Sequence, residues 1–423
     1  MASLESTKIN PVRRSTDTGD LEVLGDRGLD VPLIYFEDGN PWVAANEYAI
    51  EKLQLGKDSK TVNSFMRHLK AYASWLESKD KDWRDFPKKK KDRVLFIFKG
   101  YLVGQRENRL LSPSTVSERM RCVVQFYRWA MVNRWIENRD LWEDTQKIVR
   151  FHNTVGLERT MGVQSTELAI PNRVRRGATV EAGLLPITTE NQNILLDYLK
   201  KHSTTELYLI FKTAFLTGAR SETIRSLGIH NLETALSDSG SPGVRYVNVG
   251  PGTGVKTKHG VTGAIPFASQ LLGELLDYAY SEGRLNRQAL AKEPDRTVLF
   301  LTSRGNRYSE TSFTKLISDL RRDLVKAGLS QFSEFNFHQT RATFGTHLMR
   351  FALERCANVV DAIRFVRDTL LHKSESTTWQ YVTFINQEPI KESLSLEFYN
   401  LFCGVIKNDE RDQLINKVVF DSD

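Results

Sequence analysis

The 423-residue sequence has few cysteines and no long hydrophobic run. Cys122, Cys356 and Cys403 are too widely separated to indicate a disulfide framework or a metal-ligand spacing. No apolar stretch approaches the roughly 18–20 residues that a membrane-spanning helix needs. The polar segment from Met1 to Asp20 lacks the apolar core of a signal peptide. We therefore expect a cytoplasmic protein with no membrane partner.

The sequence also lacks the motifs that would indicate a bound cofactor. The sequence has no Walker-type glycine loop, no carboxylate cluster suited to Mg²⁺, no internal repeat and no low-complexity tract. We therefore expect no cofactor. With 40% hydrophobic and 26% charged residues, the composition is that of an ordinary globular chain, which excludes a collagen-like, coiled-coil or mainly disordered protein.

The positive charge is concentrated in one segment. Residues 60–134 hold 18 of the 59 basic residues but only 7 of the 52 acidic ones. The formal net charge of +7 thus separates into a strongly basic segment and a slightly acidic remainder. Such a segment is typical of a surface that binds nucleic acid, although a solvated charged face explains it equally well.

The basic segment has the pattern of a helical module. Apolar residues recur at helical spacing in Thr61–Leu76, in Val94–Leu102 and after the helix-start signature at Ser112-Pro113. Four or so such helices suit a module that neutralises DNA phosphates, and the alternative is an ordinary bundle with a basic surface. The candidate DNA-binding residues are Lys88, Lys89, Lys90, Arg119, Arg121 and Arg128.

The second half of the sequence is predicted to be mostly α-helical, with a small β-sheet. We predict strands at Arg245–Val249, Gly254–Lys258, Gly263–Phe267 and Val298–Thr302, with helices before, between and after them. A poorly periodic stretch of about 35 residues separates the two halves and favours a domain boundary. The expected organisation is an N-terminal arm, partly mobile (1–45, with 1–30 polar), a helical core DNA-binding domain (46–146), a linker (147–183), a catalytic domain (184–385) and a C-terminal helical tail for protomer contacts (386–423).

Two arginine-bearing motifs suit the binding of a phosphate. In "TGARSETIRSL", Gly218 permits a tight turn and Arg220 follows at the start of a helix. In "HQTRATFGTHL", His338 and Arg341 are three residues apart, so both side chains lie on one helix face. Each motif alone is weak, since an arginine at a helix start is usually a surface residue.

A third motif completes a set that resembles a known family. "LLHKSESTTWQYV" places His372 nine residues before Tyr381. The three motifs, in this order, resemble the boxes of the tyrosine site-specific recombinases, the phage integrase family. The resemblance covers about residues 207–382 and implies a helical core-binding domain joined to an α+β tyrosine-recombinase catalytic domain.

The resemblance implies a role for each matching residue. Arg220 and Arg341 would bind the scissile phosphate, with His338 as the histidine of the second box. His372 would contact a non-bridging oxygen or assist proton transfer, and Tyr381 would be the nucleophile. A hairpin lysine would protonate the leaving oxygen.

Two lysines are candidates for that last role. Lys258 matches the family's spacing to the following proline, and Lys256 lies on the same face of the predicted strand, so both remain open with Lys258 favoured.

Three positions depart from the family pattern. Thr223 stands where an acidic residue normally supports the first arginine, with Glu222 one position earlier. Ala342 replaces a histidine of the second box, and Leu371 replaces the glycine before the last histidine. None of these changes removes a member of the catalytic set.

The implied activity is cutting and rejoining of duplex DNA through a 3′-phosphotyrosyl intermediate without ATP or metal, serving a mobile element. We expect the cationic cluster to favour the Tyr381 phenolate. The expected partners are double-stranded DNA with specific target sites, a homo-tetramer on paired sites and accessory DNA-bending proteins, with a nucleoid-associated location. The alternatives are a type IB topoisomerase-like enzyme and a catalytically inactive DNA-binding relative.

Overall fold

A computed structural model describes residues 1–10, 12–14, 21–23, 28–137, 140–152, 158–172 and 179–402. The chain divides into two compact units, Met1–Arg175 and Arg176–Asp423. Both are mainly helical with small antiparallel sheets, which confirms the predicted fold class. No helix in the described part is long and apolar enough to cross a membrane.

The first unit is built around four helices. These are α1 (Val43–Gln54), α2 (Ser59–Ser78), α3 (Val94–Glu107) and α4 (Pro113–Val132). The starts of α2 and α4 are set by their caps, because Asp58 accepts from the backbone N–H of Thr61 and Ser112 accepts from that of Thr115. The three helices predicted in this segment are confirmed. Their apolar faces enclose an aromatic core in which the hydroxyls of Tyr72 and Tyr127 are 2.7 Å apart.

The N-terminal segment contributes strands that its polar composition did not indicate. They are β1 (Ser3–Ile9), β2 (Val12–Arg14), β3 (Leu21–Val23) and β4 (Leu29–Tyr35), and β1 pairs antiparallel with β4 along seven residues. The side-chain amide of Asn46 in α1 bonds both the N–H and the C=O of Ile34, which ties β4 to the helices. The predicted mobile arm is therefore corrected for Ser3–Ile9, because backbone pairing to a distant strand orders it.

The segment predicted as the start of a linker contains a hairpin. Strands β5 (Asp144–His152) and β6 (Glu158–Thr166) pair antiparallel along nine residues each. The poor helical periodicity of this stretch had a simple cause, since strands alternate with a period of two. The boundary between the two units falls later, after Arg175.

The second unit holds ten helices and a three-stranded sheet among its described residues. The helices are α5 (Thr189–His202), α6 (Thr205–Thr217), α7 (Ser221–Ser226), α8 (Ile229–Glu233), α9 (Ser269–Ala279), α10 (Glu282–Leu290), α11 (Glu310–Lys326), α12 (Gln339–Arg355), α13 (Val359–Thr369) and α14 (Glu375–Phe402). The strands are β7 (Leu236–Ser237), β8 (Val244–Val249) and β9 (Gly263–Ala268), in the order β7-β8-β9.

Two of the four strands predicted in this half are wrong. The stretch Gly254–Lys258 lies in the loop between β8 and β9, where Gly250, Gly252 and Gly254 all adopt positive φ and so interrupt an extended chain. The stretch Val298–Thr302 makes only isolated bridges, through Val298 and Leu301, because no neighbouring strand lies along it. The strands predicted at Arg245–Val249 and Gly263–Phe267 are confirmed as β8 and β9.

The last helix joins the catalytic motif to the predicted tail. Helix α14 carries Tyr381 near its start and contains Pro389. Side chains of α12, α13 and α14 form one apolar cluster that includes Tyr381, Ala342 and Ile363. The helical tail is confirmed as far as Phe402, and residues 403–423 lie outside the described residues.

Candidate active site

The second-box pair lies at the start of α12. His338 immediately precedes the helix and Arg341 is one turn further on, so both side chains point to the same place, as the spacing predicted. Arg341 is buried, and its guanidinium donates to the carbonyls of Gly218, at 2.8 Å, and Leu370, at 2.6 Å. It thereby joins three segments of the chain that are remote in sequence.

The turn after α6 brings Arg220 to the same point. Gly218 has φ +63°, and a Cβ at this position would lie 2.4 Å from the ring of Phe344 in α12. Only glycine therefore allows the backbone to approach α12 closely enough for its carbonyl to accept from Arg341. Arg220 then immediately precedes α7, which confirms its predicted position.

The third motif forms the opposite side of the site. His372 follows α13 and is held by a 2.8 Å hydrogen bond between its Nδ1 and the hydroxyl of Thr378. Its ring stacks on Tyr381, with centroids 6.2 Å apart. Leu371 adopts φ +52°, a backbone conformation that favours glycine, the residue of the family motif at this position.

Tyr381 is completely buried, and a glycine makes room for it. A Cβ on Gly345 of α12 would lie 2.6 Å from the tyrosine ring and 2.7 Å from its hydroxyl. The sequence analysis did not single out Gly345. Nothing in the local sequence shows which ring packs on that helix face.

The loop between β8 and β9 presents both candidate lysines, and they differ in position. Lys258 lines a narrow cleft together with Arg220 and Arg341, whereas Lys256 is not among the residues that line it. The backbone of Lys256 is fixed instead, because its N–H donates to Ser226 and its carbonyl accepts from the Thr223 hydroxyl at 2.9 Å. Thr223, at the position of the acid in the family motif, thus supports the lysine loop.

Sequence reasoning missed Glu181, whose carboxylate lies at the centre of the site. Its Oε1 accepts from Arg341 Nε at 2.7 Å and from the Tyr381 hydroxyl at 3.1 Å, and lies 2.7 Å from His372 Nε2. Its Oε2 lies 3.1 Å from His338 Nε2. Glu181 falls in the segment that we predicted as linker, where a single acid without periodic context carried no signal.

The charges in the site shift the pKa values of its ionisable side chains. Burial alone would raise the pKa of Glu181, but hydrogen bonds from His338 and His372 and the charge of Arg341 outweigh burial and hold that pKa well below its usual value. Burial, together with the nearby Arg341, lowers the pKa of Arg220 to about 10. The guanidinium therefore remains charged at neutral pH.

Shifts in the pKa values of His372 and Tyr381 determine whether these side chains are protonated at neutral pH. Burial lowers the pKa of His372, so its ring is neutral at neutral pH and Nε2–H donates to Glu181 while Nδ1 accepts from Thr378. Burial and the charge of Glu181 raise the pKa of Tyr381 well above 10, despite the opposing effect of Arg341. The expected phenolate is therefore wrong for this state, since Glu181 offsets the cations.

The six candidate DNA-binding residues lie in the first unit and differ in their partners. Lys88 and Lys89 are exposed. Three others pair with carboxylates: Lys90 with Glu143 and Glu167, Arg121 with Glu118, and Arg128 with Asp144. Arg119 is partly buried, and its Nε has no hydrogen-bond partner.

One group among the described residues has ligand atoms close enough to hold a metal ion. His68, Glu118 and Cys122 place one ligand atom each within 4.8 Å of one another. However, Glu118 is paired with Arg121, and burial raises the pKa of the Cys122 thiol to about 12. A thiolate, the form that binds metal, is therefore costly here.

Comparison with known proteins finds one family model and several solved structures that resemble this chain. Residues 186–387 match the model of the phage integrase family, and a search of curated proteins gave no match. The solved Tn1549 transposon integrase in complex with transposon right end DNA is similar at 15% identity and a TM-score of 0.50, covering 80% of this chain and 94% of that one. A lambda integrase dimer bound to a COC′ core site is similar at 15% identity and a TM-score of 0.48, covering 82% and 78%. The first likeness shows a shared fold.

Proposed function

We propose that the chain cuts and rejoins duplex DNA at specific sites through a 3′-phosphotyrosyl intermediate, on the premise that residues 186–387, which match the model of the phage integrase family, form a tyrosine recombinase domain. One observation carries the proposal. Arg220, Lys258 and Arg341 line one narrow cleft, and Arg341 shares the Glu181 carboxylate with His338, His372 and Tyr381. Such a set of fixed cations around a nucleophile suits attack on a phosphodiester.

The two arginines carry the charge that the reaction builds up. Arg220 and Arg341 remain protonated at working pH. They neutralise the charge on the non-bridging oxygens as the pentacoordinate transition state forms. Neutral His372 donates Nε2–H to one of those oxygens, since its Nδ1 is already fixed by Thr378. No metal is required for this charge, because guanidinium groups supply it.

Residues of the site account for every bond and proton that the reaction changes. The Tyr381 oxygen forms a bond to phosphorus while the bond from phosphorus to the 5′ oxygen breaks. The phenolic proton goes to His338, once the phosphate has replaced the Glu181 carboxylate that lies between the two side chains in the DNA-free site. Lys258 gives a proton to the 5′ oxygen, and the covalent phosphotyrosine stores the bond, so that rejoining needs no ATP.

The test is covalent capture. DNA from the region flanking the gene, carrying a nick beside the cleavage point, traps the adduct because the short 5′ end diffuses away. We expect wild type to form SDS-resistant protein–DNA adducts and Tyr381→Phe to form none while still binding DNA. Tyr280→Phe is the control, since this exposed tyrosine lies outside the site. Adducts with Tyr381→Phe would reject the assignment.

The same DNA distinguishes the rival activity. A type IB topoisomerase relaxes any supercoiled plasmid, whereas a site-specific recombinase acts only where its target sites are present. Efficient relaxation of a plasmid that lacks the flanking sequences would favour the topoisomerase. A chain that binds DNA but never forms adducts would be the inactive relative.

The biological role is a further proposal. We expect the enzyme to serve a mobile element, to act as a homo-tetramer on paired sites with accessory DNA-bending proteins, and to work in the cytoplasm on the nucleoid. The Tn1549 integrase was solved bound to transposon DNA, which supports a DNA partner here. Direct repeats flanking the gene would support the mobile-element role, and their absence would count against it.

A further inference from the structure

The carboxylate of Glu181 occupies the point on which the catalytic side chains converge. One oxygen lies 2.7 Å from Arg341 Nε, 2.7 Å from His372 Nε2 and 3.1 Å from the Tyr381 hydroxyl, and the other lies 3.1 Å from His338. A carboxylate, like a phosphate, presents several acceptor lone pairs to these donors. The carboxylate thus meets two of the three donors that the proposed function assigns to the scissile phosphate, Arg341 and His372.

The backbone around Glu181 holds it in this position. Val180 and Leu184 bond each other through both backbone groups, at 2.9 and 2.8 Å, closing a tight loop. Val180 is fully buried in the cluster of α12, α13 and α14 side chains, which anchors the loop. Glu181 adopts φ +40°, a conformation that a non-glycine residue keeps only when its surroundings compensate. Here the ion pair with Arg341 and the hydrogen bonds provide that compensation.

A DNA phosphate and the Glu181 carboxylate cannot share the site. Both are anions, and like charges at contact distance in a buried position repel strongly. The carboxylate also occupies Arg341 Nε, while the other two nitrogens of that guanidinium donate to Gly218 and Leu370. Glu181 must therefore leave before a phosphate can enter.

We propose that Glu181 is an internal substitute for the scissile phosphate, which keeps the active site occupied until DNA displaces it. The inference rests on the proposed function of the site. While Glu181 is in place, Tyr381 is buried and its hydroxyl donates to the carboxylate, so the nucleophile is held away from other electrophiles. Entry of the phosphate exchanges one anion for another and releases the tyrosine to react.

The first experiment measures occupancy without any reaction. The midpoint of thermal unfolding, Tm, is followed for DNA-free wild type and Glu181→Ala with rising inorganic phosphate, at constant ionic strength set with chloride. We expect Glu181→Ala to unfold several degrees below wild type and phosphate to raise its Tm by several degrees, because a bound anion stabilises the folded state. Wild type should respond little.

A matched variant controls for general effects of charge. Glu190 is exposed at the start of α5, so Glu190→Ala removes the same charge from the same unit without opening the site. It should respond to phosphate like wild type. Equal responses of wild type and Glu181→Ala would overturn the proposal, because the carboxylate would then not compete with the anion.

The second experiment measures the rate of adduct formation on nicked flanking DNA at saturating DNA concentration. We expect Glu181→Ala and Glu181→Gln to form adducts about tenfold faster than wild type, and Glu190→Ala to match wild type. Slower or unchanged adduct formation by both Glu181 variants would overturn the proposal, because the carboxylate would then assist Tyr381 or position the histidines. If no protein forms adducts, the proposed function fails, and the phosphate experiment still decides whether Glu181 occupies the anion site.

Discussion

Arg341 shows how much of the site depends on one side chain. Its guanidinium contacts Glu181, Gly218 and Leu370, and all three contacts are buried. A lysine keeps the charge but has one nitrogen, so it cannot reach three acceptors in three directions. The planar group, rather than the charge alone, therefore holds these segments together.

We accordingly expect Arg341→Lys to lose at least about 100-fold in the rate of adduct formation, the usual cost of removing a fixed donor to the transition state. Its free energy of unfolding should fall by about 1–3 kcal/mol, because buried carbonyls lose their donor. Single-turnover adduct assays and urea unfolding measure the two effects. Arg350→Lys, on the same helix but at a partly exposed ion pair, is the control and should behave like wild type. Normal rates with Arg341→Lys would contradict the role of the fork.

Gly345 offers a second test at the scale of single atoms. An added methyl would lie within 2.7 Å of the Tyr381 ring, so Gly345→Ala should displace the nucleophile, destabilise the unit by about 1–3 kcal/mol and slow adduct formation. Gly273→Ala in α9 has nothing within 4 Å and should instead stabilise by up to about 1 kcal/mol. Thermal unfolding and adduct assays compare the pair. A stabilising Gly345→Ala with normal activity would show that the ring has room to move.

The low pKa of Glu181 predicts a pH dependence of folding. A carboxyl whose folded-state pKa lies below its ordinary value of 4.5 stabilises the fold above that pH, and the stabilisation is lost as pH falls below it. The Tm of DNA-free wild type should therefore exceed that of Glu181→Gln at neutral pH, and the difference should shrink below about pH 4.5. Thermal unfolding between pH 7 and pH 3.5 measures this, with Glu190→Gln as the control. A constant difference would mean that shape, not charge, stabilises the loop.

At the scale of secondary structure, local sequence patterns predicted those features that depend only on neighbouring residues. The cap at Ser112 and the i, i+3 pair of His338 and Arg341 depend on neighbours in sequence, and the structure confirms both. Pairing between Ser3–Ile9 and Leu29–Tyr35 depends on a partner some twenty residues away, which composition does not reveal.

Glu181 could not be found in the same way. Its position depends on a tight loop with positive φ and on burial of Val180 against three helices, and neither follows from a periodic pattern. It also lies before the residues 186–387 that match the family, so the resemblance gave no reason to consider it. The positions of Arg220, His338 and Arg341 near one another could be predicted, because they lie in motifs whose spacing the resemblance supplies.

The ion pairs of the first unit predict which of its basic side chains contribute most to DNA binding. Lys88 and Lys89 are exposed, whereas Lys90 and Arg128 are engaged by carboxylates. Each phosphate contact contributes about 0.9 to the slope of log affinity against log salt. We expect a Lys88→Ala/Lys89→Ala double variant to lower that slope by about 2, and Lys90→Ala/Arg128→Ala to change it less. Equal changes in a salt titration would show that the ion pairs open on DNA.

At the scale of the whole molecule, one helix links the nucleophile to the predicted tail. Helix α14 runs from Glu375 to Phe402, with Tyr381 near one end. Pro389 lies between the two parts and removes one backbone hydrogen bond, so the helix has a natural point of bending. A neighbouring protomer that held the tail would therefore act on the element that carries the nucleophile.

We predict that deletion of residues 390–423 separates binding from assembly. The truncated chain keeps Tyr381 and every contact of Glu181, so it should bind single sites and form adducts on nicked DNA at near wild-type rates. It should fail to form tetramers on paired sites, because the apolar positions Leu394, Phe398 and Leu401 that we expect to dock on a second protomer are gone. Analytical ultracentrifugation with paired sites measures assembly, and adduct assays on single sites control for folding. Unchanged tetramers would place the protomer contacts elsewhere, whereas loss of single-site cleavage would mean that the tail completes its own active site.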